Sequence, residues 1–104
     1  MVHSLSPEQA QELINRGEVD VVDVREPREW STGHLPGARL VPFARLRGSP
    51  RAALPRDSVI FVCAAGTRSE SAARLAVENG LSRVYNLSGG TRGWVRAGLP
   101  LVQD

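Results

Sequence analysis

Lysine is absent from this sequence, and every one of its 13 basic side chains is an arginine. These scatter from Arg16 through Arg96 without forming a stripe, and the formal net charge is only +2. Neither a phosphate-tracking ridge nor a membrane-surface patch is present, so no nucleic-acid or membrane partner is expected. Cysteine is almost absent too. Cys63 stands alone, which excludes an internal disulfide and a cysteine-cluster metal site. With His3 and His34 far apart as well, no metal or other cofactor is expected. Aromatic residues are few. Trp30 and Trp94 are too distant in sequence to build a stacking platform and read as packing residues. No apolar run approaches the roughly 20 residues that span a bilayer. Met1 to Leu5 lacks a basic segment followed by an apolar stretch, so no secretory leader is expected and the cytoplasm is the expected location. Residues 1–104 have one domain's length, and no repeat, linker or low-complexity tract divides them. A monomer is expected.

What is present reads as alternating elements. Ser6-Pro7-Glu8-Gln9 is a helix start in which Ser6 caps, Pro7 takes the first position and Gln9 completes a capping box. That helix is expected to run to Arg16, with Gly17 ending it. Val19 to Val24 is rich in β-branched residues and reads as a strand buried on both faces. Pro27 to Ser31 makes a short helix ended by Gly33, and His34 to Ala38 is loop. Leu40-Val41 is a short strand stopped by Pro42. Phe43 to Ala53 has helical spacing interrupted by Gly48 and Pro50, hence a broken helix. Val59-Ile60-Phe61-Val62 is the strongest strand and leads directly into Cys63. Ser69 to Asn79 is a helix with Ala72, Ala73 and Ala76 on one face, able to sit close to a sheet. Val84 to Leu87 is a strand, and Thr91 to Ala97 a short helix. Strands alternating with helices imply an α/β three-layer sandwich around a mostly parallel sheet.

Ligands of such sheets bind beyond the carboxyl ends of the strands, where Cys63 falls. Ala64, Ala65, Gly66, Thr67, Arg68 and Ser69 follow it. Small side chains let this loop curl with consecutive peptide N–H groups inward, forming an anion-binding nest. The next helix adds its positive amino end on the same side. Both favour the thiolate, which is the nucleophilic form. Arg68 brings a permanent charge and a planar fork of donors for an oxyanion. Against this stands the commoner condition of a lone cysteine, a small buried hydrophobe.

The whole chain resembles a rhodanese domain. Val22 to Pro27 with Glu29-Trp30 and Gly33 to Ala38 is similar to the family's amino-terminal signature. Cys63 to Ser69 resembles its active-site loop, and Val84 to Gly90 followed by Trp94 its carboxyl-terminal signature. The resemblance implies a five-stranded sheet with helices on both faces. It also implies sulfane-sulfur transfer, in which Cys63 attacks the outer sulfur of a donor such as thiosulfate and holds it as a persulfide. An acceptor such as cyanide, a thiol or a dithiol protein then takes it. Peptide groups from Ala64 to Ser69 would steady the anion, and Arg68 would bind the donor or orient the loop. From Cys63 to Arg68 the loop has six residues. Rhodaneses that transfer sulfur share this length, whereas the related phosphatases and arsenate reductases have a loop one residue longer. Many thiosulfate-using relatives carry a basic residue directly after the cysteine, and Ala64 departs from that pattern.

Other residues carry weaker signals. Asp23 and Arg25 read either as a structural ion pair or as part of the site's rim. His34 is read as a structural hydrogen-bonding residue, and Gly89-Gly90 as a turn, since no P-loop lysine accompanies it. Three alternatives to a thiosulfate sulfurtransferase are a sulfur carrier in a thiolation pathway, a phosphatase or arsenate reductase, and a catalytically silent interaction module.

Overall fold

The structure is a computed structural model that describes residues 1–53 and 57–103, without the side chains of Arg51 and Ala52. Along the chain β1 (Val2–Leu5) leads into α1 (Pro7–Arg16), β2 (Asp20–Asp23), α2 (Pro27–Trp30) and β3 (Arg39–Leu40). α3 (Phe43–Gly48) and α4 (Pro50–Ala53) follow, then β4 (Val59–Val62), α5 (Thr67–Glu78), β5 (Val84–Leu87) and α6 (Gly90–Arg96).

Local sequence accounts for most of these boundaries. At the head of α1 the Gln9 N–H donates to Ser6 Oγ at 3.2 Å, and the Ser6 N–H donates to Gln9 Oε1 at 2.9 Å. The capping box thus satisfies two of the amides a helix start leaves unpaired. The expected break in the 43–53 helix falls at Ser49, which has φ −143° and ψ 68° between α3 and α4. Pro50 excludes the helical conformation from the residue before it.

The five strands form one sheet in the order β1-β5-β4-β2-β3, and every neighbouring pair is parallel. β1 escaped the residue-by-residue reading because only Val2 and Leu5 are even half-buried while His3 and Ser4 are exposed. Pairing with β5, from Val2 opposite Val84 to Leu5 opposite Leu87, makes it a strand. The other strands match their expected places to within a residue at each end.

Side chains alternate across this sheet and bury two apolar clusters, one per face. Val22, Phe61 and Val84 pack on one side with Leu46 of α3, Ala53 of α4 and Ala72, Ala73 and Ala76 of α5. Val21, Ile60, Val62 and Leu87 pack on the other with Ala10 of α1 and Trp94 of α6. The alanine face of α5 lets that helix lie close over β4 and β5. The result is the three-layer sandwich.

The connections leaving β4 and β5 therefore diverge, β4 feeding α5 on one face and β5 feeding α6 on the other. Divergence at neighbouring strand ends opens a crevice at the carboxyl edge. At the far end of the same strands Asp57 accepts the N–H groups of Ser58, Ser82 and Arg83 and the Ser82 hydroxyl at 2.6 to 3.1 Å. These bonds, the Ser82 hydroxyl first, lower its carboxyl to about 2.

Candidate active site

Val62 ends β4 opposite Asp23 of β2, so Cys63 is the first residue past the sheet in the crevice between β4 and β5. Its residue exposure is only 1%, and its carbon atoms join the apolar cluster beneath α5. Its sulfur has polar company. The Gly66 N–H donates to Sγ at 3.1 Å, and the Ser69 Oγ lies 3.3 Å away. Burial pushes the thiol's pKa up. The Ser69 hydroxyl and the peptide N–H groups of Ser69, Gly66 and Ala65 outweigh it, and the pKa falls below the ordinary value. A structural cysteine would lack that ring of donors.

The loop takes this shape because both of its sides are fixed. Gly66 adopts φ 104°, closed to most side chains, and so turns its N–H inward. The outward carbonyls are held by the start of α6: Thr91 N–H donates to Cys63 C=O at 2.8 Å, and Arg92 N–H to Ala64 C=O at 3.1 Å. This contact requires Gly90. A Cβ there would lie 2.3 Å from the Cys63 carbonyl oxygen and 2.5 Å from the Ala64 carbonyl carbon and oxygen.

Asn86 is a site residue that sequence reasoning missed. It is buried in β5, where its Nδ2 donates to Gly66 C=O at 3.1 Å and its Oδ1 accepts the Ser69 hydroxyl at 2.6 Å. One amide thus spans the crevice and fixes both ends of the loop turn. A lone amide among apolar strand residues, Val84-Tyr85-Asn86-Leu87, was the available signal, because a buried amide must find partners.

Arg68 sits at the beginning of α5, and its fork is turned onto Glu29 of α2. Nη1 and Nη2 donate to Oε1 and Oε2 at 2.8 and 3.0 Å. Glu29 is a second residue the sequence reading left unassigned to the site. In this arrangement Arg68 orients the loop. Ala65 and Thr67 form the exposed rim, Ala64 is half-buried, and Ser69 is buried. Asp23 and Arg25, weighed as ion pair or rim, form a buried ion pair. Arg25 Nη2 lies 2.8 Å from Asp23 Oδ2 and donates to Gly33 C=O at 2.7 Å, with exposures of 4% and 0%. The carboxylate and the Gly33 carbonyl draw the guanidinium inward, so Asp23 and Arg25 brace the loop after β2. His34 is buried, stacks on Trp30 at 3.5 Å and places its Nδ1 3.1 Å from Leu35 C=O. Trp94 is buried and donates from Nε1 to Pro100 C=O at 2.7 Å.

A cysteine sulfur facing the Gly66 N–H and the Ser69 hydroxyl at a parallel-strand end suits nucleophilic attack that leaves an anion on sulfur. The rhodanese-like domain model matches residues 6–97 of the chain. The chain belongs to the rhodanese-like family. A sulfurtransferase of Allochromatium vinosum is 36% identical over 104 residues, covering 98% of this chain and 96% of its own. The thiosulfate sulfurtransferase GlpE of Ectopseudomonas mendocina is 40% identical over 96 residues, covering 92% and 86% respectively. The crystal structure of a rhodanese-related protein from Thermoplasma volcanium superposes with a TM-score of 0.87 at 30% identity, over 98% of this chain and 99% of that one. The chain is thus a member of the rhodanese-like sulfurtransferase family, with the fold its sequence implied. Among its described residues no helix is long and apolar enough to cross a membrane.

Proposed function

We propose that this protein is a thiosulfate sulfurtransferase that carries sulfane sulfur as a persulfide on Cys63. The observation that carries the reading is the Cys63 sulfur facing the Gly66 N–H at 3.1 Å and the Ser69 hydroxyl at 3.3 Å in a six-residue loop. The family membership and the GlpE relatives support it.

In the first half-reaction the Cys63 thiolate attacks the outer sulfur of thiosulfate. A new S–S bond forms as the donor's own breaks, and sulfite leaves with the electron pair. The product, Cys63–S–S⁻, keeps one negative charge for the loop amides to face. In the second half, cyanide or a thiolate acceptor attacks the terminal sulfur and Cys63 departs as thiolate. No proton donor is needed for either leaving group, which fits a site whose polar groups are mainly N–H donors. The Cys63 pair alternates between two covalent forms, so ping-pong kinetics follow.

Thiocyanate formed from thiosulfate and cyanide measures the whole cycle, and Cys63→Ser abolishes it. No thiocyanate from this or any other sulfane donor would overturn the reading.

Ala64 favours a second reading, a carrier that takes its sulfur from another donor, a protein persulfide for instance, and turns thiosulfate over poorly. Intact mass after exposure to sulfane donors then gains one sulfur atom on Cys63, removable by reductant, while thiocyanate output stays low. Absence of the adduct removes this reading as well.

A further inference from the structure

Beside the catalytic loop runs an open groove of about 440 Å³, lined by Arg25, Thr32, Thr91, Arg92, Val95, Arg96 and Leu101. It starts where α6 grips the loop, since Thr91 and Arg92 are the residues whose N–H groups hold the Cys63 and Ala64 carbonyls. Two of its three arginines are unmatched. Arg16, Arg25, Arg39, Arg68 and Arg74 each face a carboxylate of this chain. Among the described residues the exposed side chains of Arg28, Arg45, Arg83, Arg92 and Arg96 have neither an ion pair nor a hydrogen bond, and of these Arg92 and Arg96 line the groove. They stand one helical turn apart on α6 with Val95 beside them, itself 53% exposed.

We propose that this groove receives an acidic, partly apolar segment of a protein that accepts sulfur from Cys63. The inference rests on the sulfur-transfer reading for the acceptor's role, and on the groove for its chemistry. Carboxylates of the partner meet Arg92 and Arg96, and an apolar side chain covers Val95 and Leu101. Space for several side chains exceeds what one small oxyanion fills. A nucleic acid fits less well, because no aromatic side chain lines the groove for base stacking and the cations form a pair, not a track. Matching charge at such a place mainly speeds encounter and selects the partner, so its effect falls with salt.

Two synthetic peptides of equal length test this, one of alternating glutamate and leucine and one of alternating lysine and leucine. Each is made with a fluorescent label for anisotropy and, separately, with a single cysteine as sulfur acceptor. The native protein binds the glutamate peptide at least about tenfold more tightly than the lysine peptide, and added salt narrows the gap. In the Arg92→Glu/Arg96→Glu protein the preference reverses, and the KM for the two cysteine peptides reverses with it. Arg96→Glu alone weakens the glutamate peptide while thiocyanate formation from thiosulfate and cyanide stays near native. Equal binding of both peptides, binding indifferent to the charge reversals, or thiocyanate lost in Arg96→Glu would overturn the proposal. So would displacement of the peptide by a tighter-binding single-stranded oligonucleotide. If the native protein makes no thiocyanate, the sulfur-transfer reading fails, and the anisotropy still decides what the groove holds.

Discussion

Arg68 and Glu29 lie 39 residues apart in sequence and meet through two parallel N–H···O bonds, joining the Cys63 loop to α2. The Arg68 hydrogen bond, above all, lowers the Glu29 carboxyl to about 2. A depressed carboxyl contributes stability that is whole above its unfolded value near 4.5 and is lost as pH falls toward 2. The side chains are 39% and 31% exposed, so solvent screening trims the pair to about 1 kcal/mol. Glu29→Gln therefore lowers the melting temperature by about 4–8 °C at neutral pH. The difference from the native protein shrinks as the pH is brought down toward 2. A difference that stayed constant through that range would mean the charge plays no part. Activity near neutral pH falls too, because the loop loses its anchor.

Ser69 has one hydroxyl proton and two acceptors for it, Cys63 Sγ at 3.3 Å and Asn86 Oδ1 at 2.6 Å. Gly66 C=O can only accept, which requires Asn86 to present Nδ2 to it and Oδ1 to Ser69. A Cys63 thiol is able to donate to Ser69 Oγ while the hydroxyl donates to Asn86 at the shorter distance. When Cys63 ionises, the hydroxyl turns to the sulfur. Ser69→Ala removes the largest of the influences that lower the Cys63 pKa, so alkylation followed against pH shows the thiol ionising at higher pH. Below that point the rate of sulfur uptake falls. Asn86→Ala acts differently: it frees the hydroxyl to serve the sulfur alone but leaves Gly66 C=O without its amide. The loop loosens at a cost of roughly 1–3 kcal/mol. Identical titrations in the native and Ser69→Ala proteins would remove Ser69 from the thiolate's support.

Much of this architecture was legible because its determinants are local. Ser6 and Gln9 cap α1 through neighbours three positions apart, and the β-branched runs of β2 and β4 announce themselves without help. The strand-to-helix turn at Cys63 was legible for the same reason, since strand, small residues and helix are contiguous. What stayed hidden depends on residues far apart in sequence. β1 is a strand only because β5 lies beside it, and Asp57 ties β4 to β5 through Ser82 and Arg83, 25 and 26 positions on. Asn86 and Glu29 join the site across the crevice, and their roles exist only once Gly66, Ser69 and Arg68 have been brought to them. The scattered arginines likewise separate into paired and unpaired sets only after folding.

Gly90 is the point where α6 presses on the Cys63 loop, with φ 61° and no room for a Cβ against the Cys63 and Ala64 carbonyls. Those atoms are backbone, so relief requires moving the loop or the helix. Gly90→Ala accordingly destabilises by several kcal/mol and abolishes sulfur transfer in whatever fraction folds. Gly17→Ala is the control. It also has a positive φ of 71°, but nothing lies within 4 Å of the added carbon, so about 1 kcal/mol is lost and activity is kept. Equal melting temperatures for the two variants would show that the close approach at Gly90 does not constrain the loop.

Ala64 is half-buried directly after Cys63, and its carbonyl is already taken by the Arg92 N–H. Replacing its methyl group changes the charge beside the sulfur without disturbing the bond that shapes the backbone. Thiosulfate is a dianion, and the Arg68 fork is engaged by Glu29. Ala64→Arg supplies the missing cation. A partly solvated charge pair of this kind is worth about 1 kcal/mol, a fall of about fivefold in the KM for thiosulfate. The same charge favours the Cys63 thiolate, so sulfur uptake extends to lower pH. Both gains shrink as salt is raised, which separates them from a repacking of the loop. An unchanged KM in low salt, with the variant still folded and still able to carry sulfur, would mean that charge after the nucleophile does not limit donor capture in this protein.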